Sequence, residues 1–257
     1  MAEAHVQLPN AVWHAAALVE TGHPPTLVRG YLDLLDDQRP HPSGAVSWLM
    51  HTKLVPTIYE RWWRPIFGQA IKGPFGPSTE GEFRLAKDYL RLEPGDVVVD
   101  VACGPGNFTR ALAEAVGERG LAIGVDASTT MLERAVVDTH AENVAYLHAD
   151  ATELPLRTGG FDAVGCFLAL HLFDDPMLAV ERMAAVLAPG GRLALFTSCG
   201  RGEPHVSRAL AGPLWQFGGA RLFGRHELTD VLAGLGFVDI KQQVHGFLQF
   251  VGARKPD

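Results

Sequence analysis

Asp96-Val97-Val98-Val99-Asp100-Val101-Ala102-Cys103-Gly104-Pro105-Gly106-Asn107 is the stretch on which the fold turns. Its first half is a β-branched apolar run, the pattern of a strand buried on both faces. Its second half is a glycine-rich turn, and a helical stretch from Phe108 to Val116 follows, closing near Gly117. The same cadence continues downstream. Leu121 to Val125 is a second strand ending at Asp126, and Ser128 is placed to cap a helix running through Met131 to about His140. Val144 to His148 and Phe161 to Phe167 read as strands, and Met177 to Leu187 as the helix after them. Pro189-Gly190-Gly191 turns into a fifth strand, Arg192 to Thr197. Strand and helix alternating in this way predict a parallel sheet covered on both faces. Right-handed crossovers then leave the α/β doubly wound, Rossmann-like fold. After a helix over Arg225 to Leu235, the runs Phe237 to Val244 and Phe247 to Ala253 are too close for a crossover helix and predict an antiparallel hairpin at one sheet edge.

Composition limits the function. With 257 residues, 47% hydrophobic and 20% charged, the chain can bury a sizeable core. The net charge of −7 disfavours nucleic acid as a partner. That charge is uneven: residues 95–198 hold 6 Lys/Arg against 14 Asp/Glu, a net of −8, whereas 1–94 carry −1 and 199–257 carry +2. Three cysteines, Cys103, Cys166 and Cys199, form no disulfide framework and no metal knuckle, and Cys103 and Cys166 read as small buried hydrophobes. A reducing cytoplasm is therefore the expected location. The N-terminus does not read as a secretory signal, and no uncharged apolar run of about 18 residues predicts a membrane span.

In an open parallel sheet, ligands bind beyond the carboxyl ends of the strands. Gly104 and Gly106 let the backbone turn tightly and approach a ligand there, at the N-terminus of the next helix. Thr109 stands where a dinucleotide fingerprint needs a small residue, which weakens a nicotinamide-dehydrogenase reading, and no Lys-Ser/Thr pair follows as in a P-loop. Asp126 lies 20 residues beyond Gly106, where a carboxylate can accept from both ribose hydroxyls.

VVVDVACGPGNFTRAL, residues 97–112, resembles motif I of the class I S-adenosylmethionine (SAM)-dependent methyltransferases. Gly124 to Ser128, His148-Ala149-Asp150-Ala151, Phe161 through His171, and Leu187 to Leu193 resemble the later motifs in order, so the likeness spans roughly residues 85–255. It implies a seven-stranded sheet of order 3-2-1-4-5-7-6 with an antiparallel last strand. It also implies site roles. Asp100 would orient the loop or the methionine ammonium. Backbone at Ala102, Cys103, Gly104 and Gly106 would border the methionyl group. Asp126 and Ala127 would take the ribose, Met131 the adenine face, and Asp150 and Ala151 the adenine edge. Phe167 and Leu168 would face the sulfonium. The implied cofactor is SAM, leaving as S-adenosylhomocysteine (SAH), and no metal is called for.

Transfer from a sulfonium needs a base only when the acceptor must lose a proton. His171, just past the fourth strand, is the candidate general base. The segment lacks an (Asp/Asn)-Pro-Pro-(Tyr/Phe) motif, which favours oxygen or carbon of a small aromatic or lipid-like acceptor. Tyr59 to Arg64 and the Gly73 to Pro77 turn resemble the ubiquinone/menaquinone-biosynthesis (UbiE-like) branch, which implies an N-terminal helical cap with Tyr59 near the SAM carboxylate. Residues 1–84 are thus expected to form a cap, 85–257 the SAM-binding domain, and 199–224 an insertion on the substrate side that carries Arg201 and Arg208. Gly22 to Leu35 resembles the tail of a zinc ribbon, but no cysteine precedes Cys103, so a thiolate zinc site cannot form. The alternatives are a SAM-binding sensor or scaffold without turnover and an RNA methyltransferase. Oligomeric state is open.

Overall fold

The computed structural model describes residues 10–35, 76–200 and 221–257. Tyr59, Trp62, Trp63, Arg201, His205, Arg208, Trp215 and Phe217 lie outside them, as do His5, His41 and His51.

Helix α1 (Asn10–Ala17) leads into a hairpin of β1 (Thr26–Val28) and β2 (Tyr31–Asp33). Then come α2 (Thr79–Leu90), β3 (Val97–Val101), α3 (Asn107–Val116), β4 (Leu121–Asp126), α4 (Thr129–Asp138), β5 (Val144–His148) and β6 (Phe161–Phe167). A 3-10 turn, Leu170–Leu172, precedes α5 (Pro176–Val186), β7 (Leu187–Ser198), α6 (Glu227–Gly234), β8 (Val238–His245) and β9 (Leu248–Arg254). Local chemistry sets the helix starts. The Ser78 hydroxyl accepts from Gly81 N, Ser128 from Met131 N, and the Asp175 carboxylate from Leu178 N, with Pro176 in the first helical turn.

The described strands form one sheet of nine, ordered β1-β2-β5-β4-β3-β6-β7-β9-β8. The expectation of seven strands is corrected here, because the hairpin at residues 26–33 joins the sheet at its β5 edge. β2 runs parallel to β5 and pairs Asp33 with His148. Tyr31 and Leu32 are buried, so the hairpin has its own stake in the core. The segment expected as a cap is therefore, over residues 10–35, a helix and an added sheet edge. β9 runs antiparallel to both β7 and β8, with β8 at the edge. Strand order reverses between β3 and β6, which are parallel neighbours.

Two apolar layers flank the sheet. One holds Val99, Ile123, Leu147, Val164, Met183 and Leu195 with α1, α5 and α6 against them. The other packs α2, α3 and α4 through Leu90, Phe108, Leu112, Leu132, Phe196 and Phe250. Asp162 works at the amino edge of the sheet, where its carboxylate accepts from Val97 N at 2.8 Å and joins β6 to the start of β3. Among the described residues no helix is long and apolar enough to cross a membrane.

Candidate functional site

Beyond the carboxyl ends of β3 and β6 the chain turns through strained backbone. Ala102 (φ 56°) follows β3 and Leu168 (φ 61°) follows β6, both in the left-handed region that costs a side-chain-bearing residue about 1 kcal/mol. Such residues concentrate at ligand sites. Between Ala102 and α3 lies the glycine loop. Cys103 N donates to Val125 O at 3.0 Å and Gly106 N to Cys103 O at 3.1 Å. Gly106 (φ 77°) caps α3 without any side-chain bond, so the first turn of the helix opens onto the loop. Arg110 holds the loop from behind, donating to Pro105 O at 2.8 Å and to the Asn107 side chain.

Asp126 joins this loop to the next one. Its Oδ2 accepts from Gly104 N and its Oδ1 from Ser128 N, both at 2.8 Å. One carboxylate thus sets the glycine loop and the start of α4 relative to each other. Asp100 is buried, and its Oδ2 accepts from the Thr109 hydroxyl at 2.6 Å. Thr109, which in sequence only argued against a dinucleotide fingerprint, is the buried donor that satisfies Asp100 and ties β3 to α3. Of the two roles expected for Asp100, this contact serves the orientation of the loop. Burial, with Asp126 and Asp100 nearby, pushes the Cys103 thiol well above its usual range. A thiol held protonated in this way is a poor nucleophile. Burial raises the Cys166 thiol too.

On the next strand, Asp150 Oδ1 accepts from Thr152 N at 2.7 Å and Thr152 Oγ1 at 2.6 Å. That turn presents Asp150 and Ala151 beside Asp126, since Ala149 N donates to Asp126 O at 3.2 Å. Met131 is buried in the first turn of α4. Asp100, Ala102, Cys103, Gly104, Gly106, Asp126, Ala127, Met131, Asp150 and Ala151 therefore gather at the carboxyl edge of β3, β4 and β5.

Phe167 requires a correction. Its ring does not face the site: it stacks on Phe108 at 4.2 Å between centroids, meets Phe196 edge-on at 5.0 Å, and lies over Gly165, where an added Cβ would come within 2.3 Å of it. Period-two alternation turns that side chain into the α2–α3 layer, leaving only its backbone near the strand end. Tyr146 is a contributor that sequence reading missed. Its ring fills the space over Gly124, and its hydroxyl, bonded to Thr139 Oγ1 at 2.8 Å, abuts Gly106. Burial pushes the phenol up to about 12, so it stays protonated. The missing Cβ at Gly124 was the available signal.

His171 lies on the 3-10 turn after β6, its Nδ1 3.3 Å from Thr197 Oγ1 on β7 and its carbonyl accepting from Arg221 N at 2.7 Å. Exclusion from water lowers its imidazole to about 4, so it is neutral at pH 7 but far weaker than a general base working near neutrality should be. That disfavours the general-base role and leaves a neutral hydrogen-bonding group. Arg221 has its own partners: its guanidinium pairs with Glu227 and lies 5.0 Å over Phe223. A stability consequence follows. The folded pKa lies below the unfolded value of about 6.5, so the neutral imidazole's contribution is complete above pH 6.5 and fades as pH falls toward 4. Denaturant titrations of wild type and His171→Asn across that window should diverge by at most about 3 kcal/mol. Parallel curves would place His171 in water.

Doubly wound topology, a glycine loop after the first parallel strand and a carboxylate closing the second define a Rossmann-like methyltransferase fold. The signature of a methyltransferase domain matches residues 98–191. An uncharacterized chloroplastic methyltransferase of Arabidopsis thaliana is 30% identical over 240 residues, covering 88% of this chain and 66% of that protein. A demethylmenaquinone methyltransferase of Staphylococcus aureus is 40% identical over 109 residues, 42% of this chain and 45% of that one. The phosphoethanolamine N-methyltransferase 2 of Haemonchus contortus, solved in complex with SAM, has the same fold, with a TM-score of 0.64 and 18% identity over 87% of this chain and 59% of that one. The chain carries a methyltransferase domain over residues 98–191 and is similar along most of its length to a methyltransferase. It spans just under two thirds of the Arabidopsis protein and under half of the Staphylococcus one.

Proposed function

We propose that this chain transfers the methyl group of SAM to an oxygen or carbon of a small, aromatic or lipid-like acceptor. The carrying observation is Asp126, whose two oxygens fix Gly104 and Ser128 at the carboxyl edge of β4, the place for a ribose. The surroundings suit a cationic cofactor. A Cβ built on Gly104 (φ 55°) would meet nothing within 4 Å, so a ligand can lie against that backbone. The nearby carboxylates of Asp100 and Asp126 favour positive charge.

When bound here, SAM would supply a methyl group on its sulfonium to an in-line acceptor, the electrons of the broken S–C bond staying on the sulfur of SAH. The protein's part is alignment and exclusion of water. Gly104, Asp126 and Asp150 hold the two ends of the nucleoside. Leu168 and His171 form the rim on the acceptor side. An acceptor that loses a proton gives it to solvent or to a base other than a neutral imidazole of pKa about 4. Likeness to a demethylmenaquinone methyltransferase supports a quinol-type acceptor.

SAH should bind in calorimetry, and labelled methyl should pass from SAM to a demethylated quinol. His171→Ala should lower turnover severalfold while leaving SAH affinity intact. Binding of SAH with no transfer to quinols, phenols or amines would instead favour a sensor or scaffold.

A further inference from the structure

At the carboxyl end of β5, His148 lies in a row across three strands: it pairs with Asp126 of β4 on one side and with Asp33 of β2 on the other. It is 3% exposed. Its Nδ1 is 2.8 Å from Asp33 Oδ1, and its Nε2 is 3.2 Å from the carbonyl of Ala127. Both partners are acceptors. A neutral imidazole has one N–H, so either tautomer would set a lone pair against an oxygen. The imidazolium ion satisfies both contacts. Asp33 is itself anchored, its Oδ1 accepting from Leu35 N at 3.2 Å, and Leu34 N donates to His148 O at 3.1 Å.

The hairpin that delivers Asp33 is firmly docked. A Cβ on Gly30 would come within 2.7 Å of Val136 on α4, and Arg29 pairs with Glu133 of the same helix. We propose that His148 is a positioning residue of the cofactor site: as an imidazolium it joins Asp33 of the N-terminal hairpin to the Ala127 carbonyl, and so holds the Asp126–Ser128 loop in the form that receives the ribose. This rests on the SAM-binding reading above and adds that the extra sheet edge, far from the site in sequence, sets cofactor affinity.

Loss of either ring N–H breaks one of the two contacts, so affinity falls as pH rises. The charged groups near the ring are Asp33 from β2, Asp126 from β4 and Asp150 two residues on, with the Tyr31 ring edge-on at 6.1 Å. On α4, Glu133 is taken by Arg29 and Arg134 by Asp138; α1 carries His14.

Calorimetry with SAH on wild type, His148→Gln, Asp33→Asn and the double variant, at pH 6.0 and 8.5, tests the proposal. Thermal melts confirm that each variant is folded, and Asp33→Asn serves if His148→Gln is not. At pH 6.0 each single variant should bind SAH roughly tenfold more weakly, and the double no worse than the singles, because they share one linkage. Wild type should lose affinity between pH 6.0 and 8.5, and His148→Gln should not. Nitrogen NMR of wild type at pH 6.0 should show both ring nitrogens of His148 protonated. Wild-type affinity in folded variants, or identical pH profiles, overturns this inference alone. Failure of wild type to bind SAH overturns the SAM-binding reading and this inference with it.

Discussion

Gly106→Ala should abolish SAH binding, raising the dissociation constant at least a hundredfold, and should lower folding stability by about 2–4 kcal/mol. Two costs combine. The residue sits at φ 77°, which an alanine adopts only under strain. Its Cβ would also fall 2.2 Å from the Tyr146 hydroxyl and 3.2 Å from the Arg110 guanidinium. Neither neighbour can step aside freely, since the phenol is bonded to Thr139 Oγ1 and the guanidinium to Pro105 O. The loop must therefore move, and the start of α3 with it. Gly104→Ala is the informative partner. At φ 55° with nothing near the added methyl, it should cost only about 1 kcal/mol of stability. It should still weaken SAH sharply, because the methyl would occupy the ligand's side of the loop. Calorimetry and denaturant unfolding of both variants separate the two effects. Equal stability losses would show that the crowding at Gly106 is relieved elsewhere, and intact SAH binding by Gly104→Ala would move the ligand off this loop.

Asp126→Ala should weaken SAH by about 1–3 kcal/mol, roughly fivefold to 150-fold, as expected for removing a partly buried acceptor. The effect has two sources. The direct one is the lost acceptor for ribose. The indirect one is that Gly104 N and Ser128 N lose their common partner, so the glycine loop and the α4 N-terminus are no longer held together. Asp126→Asn sorts them. An amide accepts with one atom and presents its NH₂ to the other N–H, so it keeps one pin at most. It should fall between wild type and alanine. Asp162→Asn is the control at the opposite sheet edge. It disturbs the bond to Val97 N and should lower stability while leaving SAH affinity unchanged. Equal SAH binding by wild type and Asp126→Ala would remove Asp126 from the site.

Much of the site was legible because its signals are local. Gly104 and Gly106 announce a backbone that side chains would obstruct. Asp126 ends an apolar run at a telling distance. Ser128 caps a helix whose first turn is visible in the sequence, and in the structure it does so. Phe167 failed for an equally physical reason. Proximity to a strand's end does not say which face the side chain takes, and here Phe108 and Phe196 claim its ring. Arg221, in the stretch expected on the substrate side, is neutralised by Glu227, six residues on. His171 was read from position alone, whereas its basicity depends on how much water the folded chain leaves it.

The sequence by itself determined the alternation of strands and helices, the glycine loop and the carboxylate that follows it. Each is written in neighbouring residues through periodicity, backbone freedom and helix capping. Tertiary structure decided what those residues touch. That Thr109 satisfies Asp100, that Tyr146 closes on Gly106, and that Asp33 meets His148 across 115 residues of chain are matters of strand order and register. The two strands before residue 34 show the same limit. Each is three residues long, too short to show a period; β2 is a strand because the β5 edge offers hydrogen bonds, and β1 because β2 then offers its other edge.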